Sequence, residues 1–370
     1  KYAVVGFGTA GYHAVKKIRE LDKEGCIDVY SNTGRAPYNP MLTTYYAFGK
    51  LEYEGMFPFG DLEQIQKEVD FNLRREQVIK VHGSEHLVET ENGSEQYDRI
   101  LIATGARAFA PPVKGLEPED AFLMRTVEDA LRFKDRLKKN DIKHAVVIGA
   151  SMAGIKVVEV LHKYGIETWL LDLASYIFPL AAYKEVAKEI EKRVEAQGVH
   201  LMFGVTIDHM EQENGEKTAV LTDGSRIPAD IVGLCIGTRA ITETVQGEVE
   251  IGRGIVVDDH MRTSVPGIYA AGDCCEGNNL ESGQNQIIGL WANANHQGET
   301  AGINMAGGDM AYKGNILHNI THFMNMDFIG FGDNRMQGEV LEYGSLSEDL
   351  YIRLVLDGKR IVGANILDNY

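Results

Sequence analysis

The chain has 370 residues, with 37 Lys or Arg against 54 Asp or Glu, a formal net charge of −17. Such an excess of anions repels phosphate backbones and anionic lipid, which excludes nucleic acid as an expected partner. A hydrophobic share of 44% argues against wholesale disorder, and no apolar run approaches the ~18 residues that a membrane span needs. The length suits two or three domains. Cys26, Cys235, Cys274 and Cys275 show neither CxxC nor zinc-ligand spacing, so no metal is expected and a reducing cytoplasm is the expected compartment.

Residues 2–5 form a short apolar strand that runs into Gly6-Phe7-Gly8-Thr9-Ala10-Gly11. Ala14, Val15 and Ile18 then share a helix face, and 27–31 read as a second strand, which completes a βαβ unit. Residues 34–60, rich in Pro, Tyr and Gly, read as loop with a short helix. The alternation over 78–90 predicts antiparallel strands with a hairpin turn at Asn92-Gly93. A buried strand follows at 100–103. Pro111-Pro112 marks a domain boundary.

The same signature then repeats. A strand at 145–148, a glycine turn at 149–154, a helix at 155–164 and a strand at 168–172 form a second unit, with hairpin strands around Asp223-Gly224 and a buried strand at 231–236. After Gly237 the chain is expected to return to the first domain, with strands at 255–258 and 268–273 and an amphipathic helix at 290–306. Residues 312–370 read as strands of a third, smaller unit. The expected fold is α/β: two Rossmann-like dinucleotide-binding domains, 1–112 with 238–311 and 113–237, plus a small α+β C-terminal domain at 312–370.

The two glycine turns carry the chemistry. Gly6-x-Gly8-x-x-Gly11 follows a strand and opens a helix, the context in which the motif has meaning. Gly6 permits the tight turn, Gly8 lets backbone approach a pyrophosphate, and Gly11 lets helix and strand close up. Thr9 and Ala10 then lie in the first helical turn, whose N–H groups favour phosphate. The acid expected at the end of the second strand is missing: Ser31-Asn32 stands there, and Asp28 lies too early. Ser31 or Asn32 would bond a ribose more weakly than a carboxylate.

In the second turn, Gly149-x-Ser151-x-x-Gly154, a serine replaces the middle glycine, followed by Met152 and Ala153. Its strand ends in Asp172, 18 residues beyond Gly154. An aspartate there accepts bonds from both ribose hydroxyls and repels a 2′-phosphate. Residues 173–179 hold no Arg or Lys, so NADH is expected over NADPH.

With both turns placed, residues 1–365 resemble the FAD-dependent pyridine nucleotide-disulfide oxidoreductase superfamily, most of all its ferredoxin, rubredoxin and nitrite reductase-like branches. Ala103-Thr104-Gly105-Ala106 and Thr263-Ser264-Val265-Pro266-Gly267-Ile268-Tyr269-Ala270-Ala271-Gly272-Asp273 join the glycine turns in carrying the resemblance. It implies that Asp273 bonds the flavin ribityl chain and that Thr104 and Gly105 contact FAD. It also implies that the helix from Trp291 points its N-terminus at the flavin pyrimidine edge, where reduced flavin holds negative charge. The expected cofactor contacts are Gly6, Gly8, Thr9, Ala10, Gly11, Ser31, Asn32, Arg35, Thr43, Val78, Ala103, Thr104, Gly105, Gly272, Asp273, Trp291 and Gln297 for FAD. Gly149, Ser151, Met152, Ala153, Gly154, Asp172 and Gly237 are those for NAD(H).

The sequence departs from its relatives in two places. Many carry a cysteine relay just after the first βαβ unit; here Met41 stands at about that position, and a thioether is no nucleophile. Relatives also place a lysine and a glutamate beside the flavin, where this chain has Thr44 and Lys156. Lys156 is therefore the candidate catalytic residue, a cation moved to the other wall of the site. The expected activity is an NADH-dependent flavin reductase that passes electrons to a redox protein or small acceptor without a catalytic disulfide. Direct reduction of oxygen or a quinone is the alternative within the enzyme class. A non-catalytic nucleotide-binding subunit or redox sensor is the alternative outside it. Relatives dimerise through the C-terminal domain, which implies a homodimer.

Overall fold

The computed structural model describes residues 1–369. A five-stranded parallel sheet runs in the order Ile268–Ala270, Arg99–Ile102, Tyr2–Val5, Ile27–Tyr30, Asn72–Arg74. Val5 lies opposite both Tyr30 and Ile102. Every residue of Tyr2–Val5 is buried, the mark of a parallel strand covered by helices on both faces. Helices Thr9–Leu21 and Trp291–Met305 meet backbone to backbone, because Gly298 and Gly302 leave no room for a side chain against Ala10 and Ala14.

A second parallel sheet runs His200–Phe203, Glu167–Asp172, His144–Ile148, Ile231–Leu234, Ala121–Phe122, with Ile148 opposite Leu171 and Leu234. Helix Met152–Lys163 follows the second glycine turn. Helices Val127–Lys138 and Lys184–Ala196 accompany it, the former started by a capping box in which Thr126 and Asp129 satisfy each other's backbone N–H. Residues 318–369 build a five-stranded antiparallel sheet in the order His318–Phe323, Met326–Gly332, Arg360–Asn369, Leu350–Asp357, Glu339–Gly344. The protein is α/β with two Rossmann-like sheets.

Contacts divide the chain into two units. The first holds Lys1–Asn39, Tyr53–Arg107 and Arg239–Ile316; the second holds Pro40–Glu52, Ala108–Thr238 and Leu317–Tyr370. The second therefore takes in the second parallel sheet, the C-terminal sheet and the short helix Leu42–Phe48. Lysines pin that helix within its unit. Lys134 donates to the Tyr46 carbonyl and Lys163 to that of Phe48, while Lys134 and Lys156 sit 3.9 and 4.6 Å over the rings of Tyr46 and Tyr45.

Several local expectations shift, the strands expected at 231–236 and 268–273 ending at Leu234 and Ala270 among them. The second strand stops at Tyr30, so Ser31 lies just past its end. The hairpin turn falls at Glu91-Asn92, and Gly93 opens the next strand at φ +138°. Residues 255–258 are not a strand: Ile255 makes isolated bridges to Ile251 and Cys275 in place of a ladder.

Candidate functional site

In the first glycine turn each glycine has a separate reason. Gly6 leaves its strand at φ +104°, and a Cβ there would strike the Ala103 carbonyl. Gly11 rests on the Gly6 carbonyl, so helix and turn close on each other. Gly8 differs: a Cβ built on it meets nothing within 4 Å, so its backbone faces open space at the start of helix Thr9–Leu21. Gly8 is also the N-cap and offers no side-chain bond, which leaves first-turn N–H groups to an anion.

The rest of this cradle gathers at the carboxyl ends of the central strands, where the strand order reverses. Ala10 lies against Gly272, whose own Cβ would come within 3.1 Å of it. Gln297 accepts the Gly272 N–H at 2.9 Å and donates to the Glu276 carbonyl at 3.3 Å, so its amide holds the turn that presents Asp273. Asp273 is half-buried. The Thr9 hydroxyl donates to Asn295 on the same helix as Gln297. Thr104 donates to the Ile241 carbonyl at 2.6 Å, and Gly105, at φ +70°, accepts the Ile241 N–H at 3.0 Å. Trp291 opens its helix and stacks on Phe59, which stacks on Tyr12. The Trp291 indole N–H is buried without an acceptor among the described residues.

At the far end of the cradle, the Ser31 N–H donates to the Arg74 carbonyl, and the Ser31 hydroxyl accepts from the Gly34 N–H at 3.3 Å. Asn32 is exposed and donates to Gln77 at 2.8 Å; Gln77 in turn donates to the Val78 carbonyl. Arg35 donates to the Tyr53 hydroxyl at 2.6 Å. Asp28 is buried at the other end of its strand region and takes bonds from Tyr97 at 2.8 Å and Asn72 at 3.0 Å. Burial works to raise its pKa, but those bonds and the Arg74 charge outweigh it and hold the carboxyl below its ordinary value. It is a structural carboxylate.

The second cradle repeats the design with a serine in place of the middle glycine. Gly149, at φ +107°, has no room for a Cβ against the Cys235 carbonyl, and Gly154 has none against Gly149. Ser151 stands where Gly8 stands and closes the helix start itself, accepting the Gly154 N–H at 3.2 Å and donating to Cys235 at 3.1 Å. Met152 and Ala153 follow in the first turn, and Ala153 is exposed. Asp172 is half-buried, with one carboxylate oxygen on the Ala150 N–H at 2.7 Å and the other on the Ala174 N–H at 2.8 Å. Gly237, at φ +101°, accepts the Phe109 N–H at 2.9 Å. Thr43 belongs to the second unit; it is fully buried and donates to the Pro40 carbonyl at 2.7 Å.

Lys156 is buried on helix Met152–Lys163. It pairs with Glu159 one turn on and donates to the His322 carbonyl at 2.7 Å. Glu159 also takes the Met324 N–H at 3.0 Å and faces Lys50 at 3.4 Å. Burial pushes the Lys156 pKa down, only partly offset by Glu159. For Glu159, burial is outweighed by Lys156 and the acid stays below its ordinary value. Sequence reading missed Glu159, although its i, i+3 spacing from Lys156 was visible.

Residues 1–298 match the family model described as pyridine nucleotide-disulphide oxidoreductase, and the chain belongs to that family. It is 28% identical over 348 residues to the NADH-dependent phenylglyoxylate dehydrogenase subunit epsilon of Aromatoleum evansii, covering 92% of this chain and 82% of that one. It is 27% identical over 312 residues to an NADH oxidase of Methanocaldococcus jannaschii, covering 82% and 69%. The NAD-dependent persulfide reductase structure from A. fulgidus has the same fold, with a TM-score of 0.91 at 24% identity, covering 100% of this chain and 74% of that one. The protein is an NADH-dependent flavoprotein oxidoreductase whose cofactors are FAD and NAD(H). The residues fit both groups: each glycine turn follows a parallel strand and opens a helix, and the space over Gly8 and the unpartnered Trp291 N–H suit a bound dinucleotide.

Proposed function

We propose that the chain takes hydride from NADH onto FAD and passes the electrons to a redox protein without a thiol relay. The observation that carries this reading is Met41 at the position where the sequence resemblance expects a cysteine. The thiols present do not replace it. Cys235, Cys274 and Cys275 are buried, and burial pushes the Cys235 thiol up to about 12. Cys26 is exposed but precedes the amino end of its strand, whereas the glycine turn lies past carboxyl ends. The four free thiols fit a reducing compartment such as the cytoplasm. The edge strand Glu339–Gly344, exposed along its whole length, supports a homodimer contact.

In this reading the first cradle holds FAD: Gly6, Gly8 and Gly11 with the first-turn N–H groups of Thr9 and Ala10 take the pyrophosphate, and Asp273 takes the ribityl chain. Trp291 and its helix N-terminus favour negative charge at the pyrimidine edge. The second cradle holds NADH, with Gly149, Ser151 and Gly154 at the pyrophosphate and Asp172 on the ribose. Bound flavin supplies acceptance of a hydride and release of electrons singly or in pairs. The protein supplies position and exclusion of water. Lys156 enters as the residue that fixes the second helix against the turn at His322–Met324. A net charge of −17 favours a carrier with a neutral or basic face. NADH oxidation should be followed anaerobically with a redox protein, then with a quinone or a disulfide, and finally in air. A faster turnover with oxygen than with any carrier contradicts the proposal and favours an oxidase.

A further inference from the structure

The two cradles can be aligned on their own backbone bonds. The Gly6 N–H donates to the Tyr30 carbonyl at 2.9 Å, and the Gly149 N–H donates to the Leu171 carbonyl at 2.7 Å. Tyr30 thus corresponds to Leu171, and Ser31 to Asp172. The second cradle has an oriented carboxylate at this position, and the first has a hydroxyl. Among the described residues the nearby acids are engaged elsewhere. Asp28 is taken by Tyr97 and Asn72, Glu76 accepts from Thr90 at 2.7 Å, and Glu95 faces Lys1 and Arg74. The polar groups that stand at the strand end itself are the neutral Ser31, Thr33, Asn32 and Gln77, and the charges that border it, Arg35 and Arg75 beside Gly34, are cations that cannot accept a bond from a ribose hydroxyl.

We infer that the first cradle holds FAD as an exchangeable cofactor, clamped at its adenosine ribose by neutral hydrogen bonds around Ser31. The inference rests on the proposed assignment of FAD to that cradle. A ribose hydroxyl bonded to a carboxylate is held more strongly than one bonded to a hydroxyl. The pyrophosphate grip at Gly8 is intact, so the flavin binds but leaves readily, and occupancy follows the free FAD concentration. Ser31 is the residue that sets this affinity.

The test uses the whole chain, saturated with FAD and passed through a desalting column, with retained flavin read by absorbance and affinity by flavin fluorescence titration. Wild-type protein is expected to lose most of its flavin and to regain it on adding FAD. Ser31→Asp, copying Asp172, is expected to bind about tenfold tighter. Ser31→Ala guards against misfolding of the charged variant and is expected to bind several-fold weaker, with an unchanged melting temperature in the flavin-free state. The reciprocal Asp172→Ser should raise the NADH dissociation constant about tenfold and leave flavin retention as it was. Wild-type protein that keeps its flavin through the column, or variants at Ser31 with wild-type affinity, overturn the inference and leave the FAD assignment standing. A wild type that takes up no flavin at any FAD concentration overturns both.

Discussion

The two glycine cradles of this chain share a backbone pattern, and two of the side-chain differences between them fall at opposite ends of the proposed nucleotide site. At the pyrophosphate, Gly8 leaves open space where Ser151 closes the helix start with its own hydroxyl. At the ribose, Ser31 stands where Asp172 is fixed by two backbone N–H groups. In the proposed assignment the first cradle lets phosphate come close, and the second holds a ribose firmly. A fold of one type can divide its grip on a dinucleotide in either direction without moving a strand.

The comparison breaks most visibly at the glycines. Gly8→Ala adds a Cβ in open space, so flavin affinity should fall at least tenfold while stability without flavin falls by no more than the ~1 kcal/mol of a poorer N-cap. Gly11→Val drives a side chain into the Gly6 carbonyl and should destabilise the fold by about 3 kcal/mol or more, as overpacking does. Equal losses of stability in the two variants would show that Gly8 is a packing residue as well.

Next in size is the buried ion pair of the second unit. Lys156→Met leaves Glu159 with only Lys50 and the Met324 N–H and should cost about 3 kcal/mol in chemical denaturation, whereas Lys156→Met with Glu159→Leu should recover part of it. The double variant also separates position from chemistry. If its flavin is reduced by NADH at the wild-type rate, Lys156 serves to hold its helix; a slow rate in a stable double variant assigns it a part in the hydride step.

The two aspartates sharpen the contrast at the ribose. Asp172→Asn should raise the KM for NADH about tenfold with little effect on kcat. Asp28→Asn should leave both cofactors alone and act on stability through pH. A carboxyl held below its ordinary value stabilises the fold above the unfolded-state pKa of about 3.9, and that contribution is lost as pH falls through the folded-state value. Wild-type protein should therefore lose more stability than Asp28→Asn between neutral pH and pH ~3. Parallel acid transitions in the two proteins would remove Asp28 from the buried network. Smallest is Ser151→Ala, which loses an N-cap and should destabilise by about 1 kcal/mol in a melting experiment.

The glycine turns were legible in the sequence because their demands are local: a positive φ at Gly6 and Gly149, and backbone packing at Gly11 and Gly154, leave glycine as the residue that fits. The missing ribose acid was legible for the same reason. What sequence reading could not see was long-range. The helix Leu42–Phe48 interrupts the first unit in sequence, yet lysines from helices Val127–Lys138 and Met152–Lys163 hold it in the second. Ion pairs and ring contacts between distant segments leave no periodic trace. Residues 255–258 have the composition of a strand, but isolated bridges replaced the ladder. The bonds from the Gln297 amide to Gly272 and Glu276 likewise join segments far apart in sequence.

Anaerobic titration of the FAD-loaded protein with NADH tests the absence of a sulfur relay most directly. One NADH per FAD should bleach the flavin completely, and the number of titratable thiols should stay the same before and after. Consumption of two NADH per FAD, with new thiols appearing, would reveal a second two-electron centre and contradict direct passage from nicotinamide to flavin to acceptor.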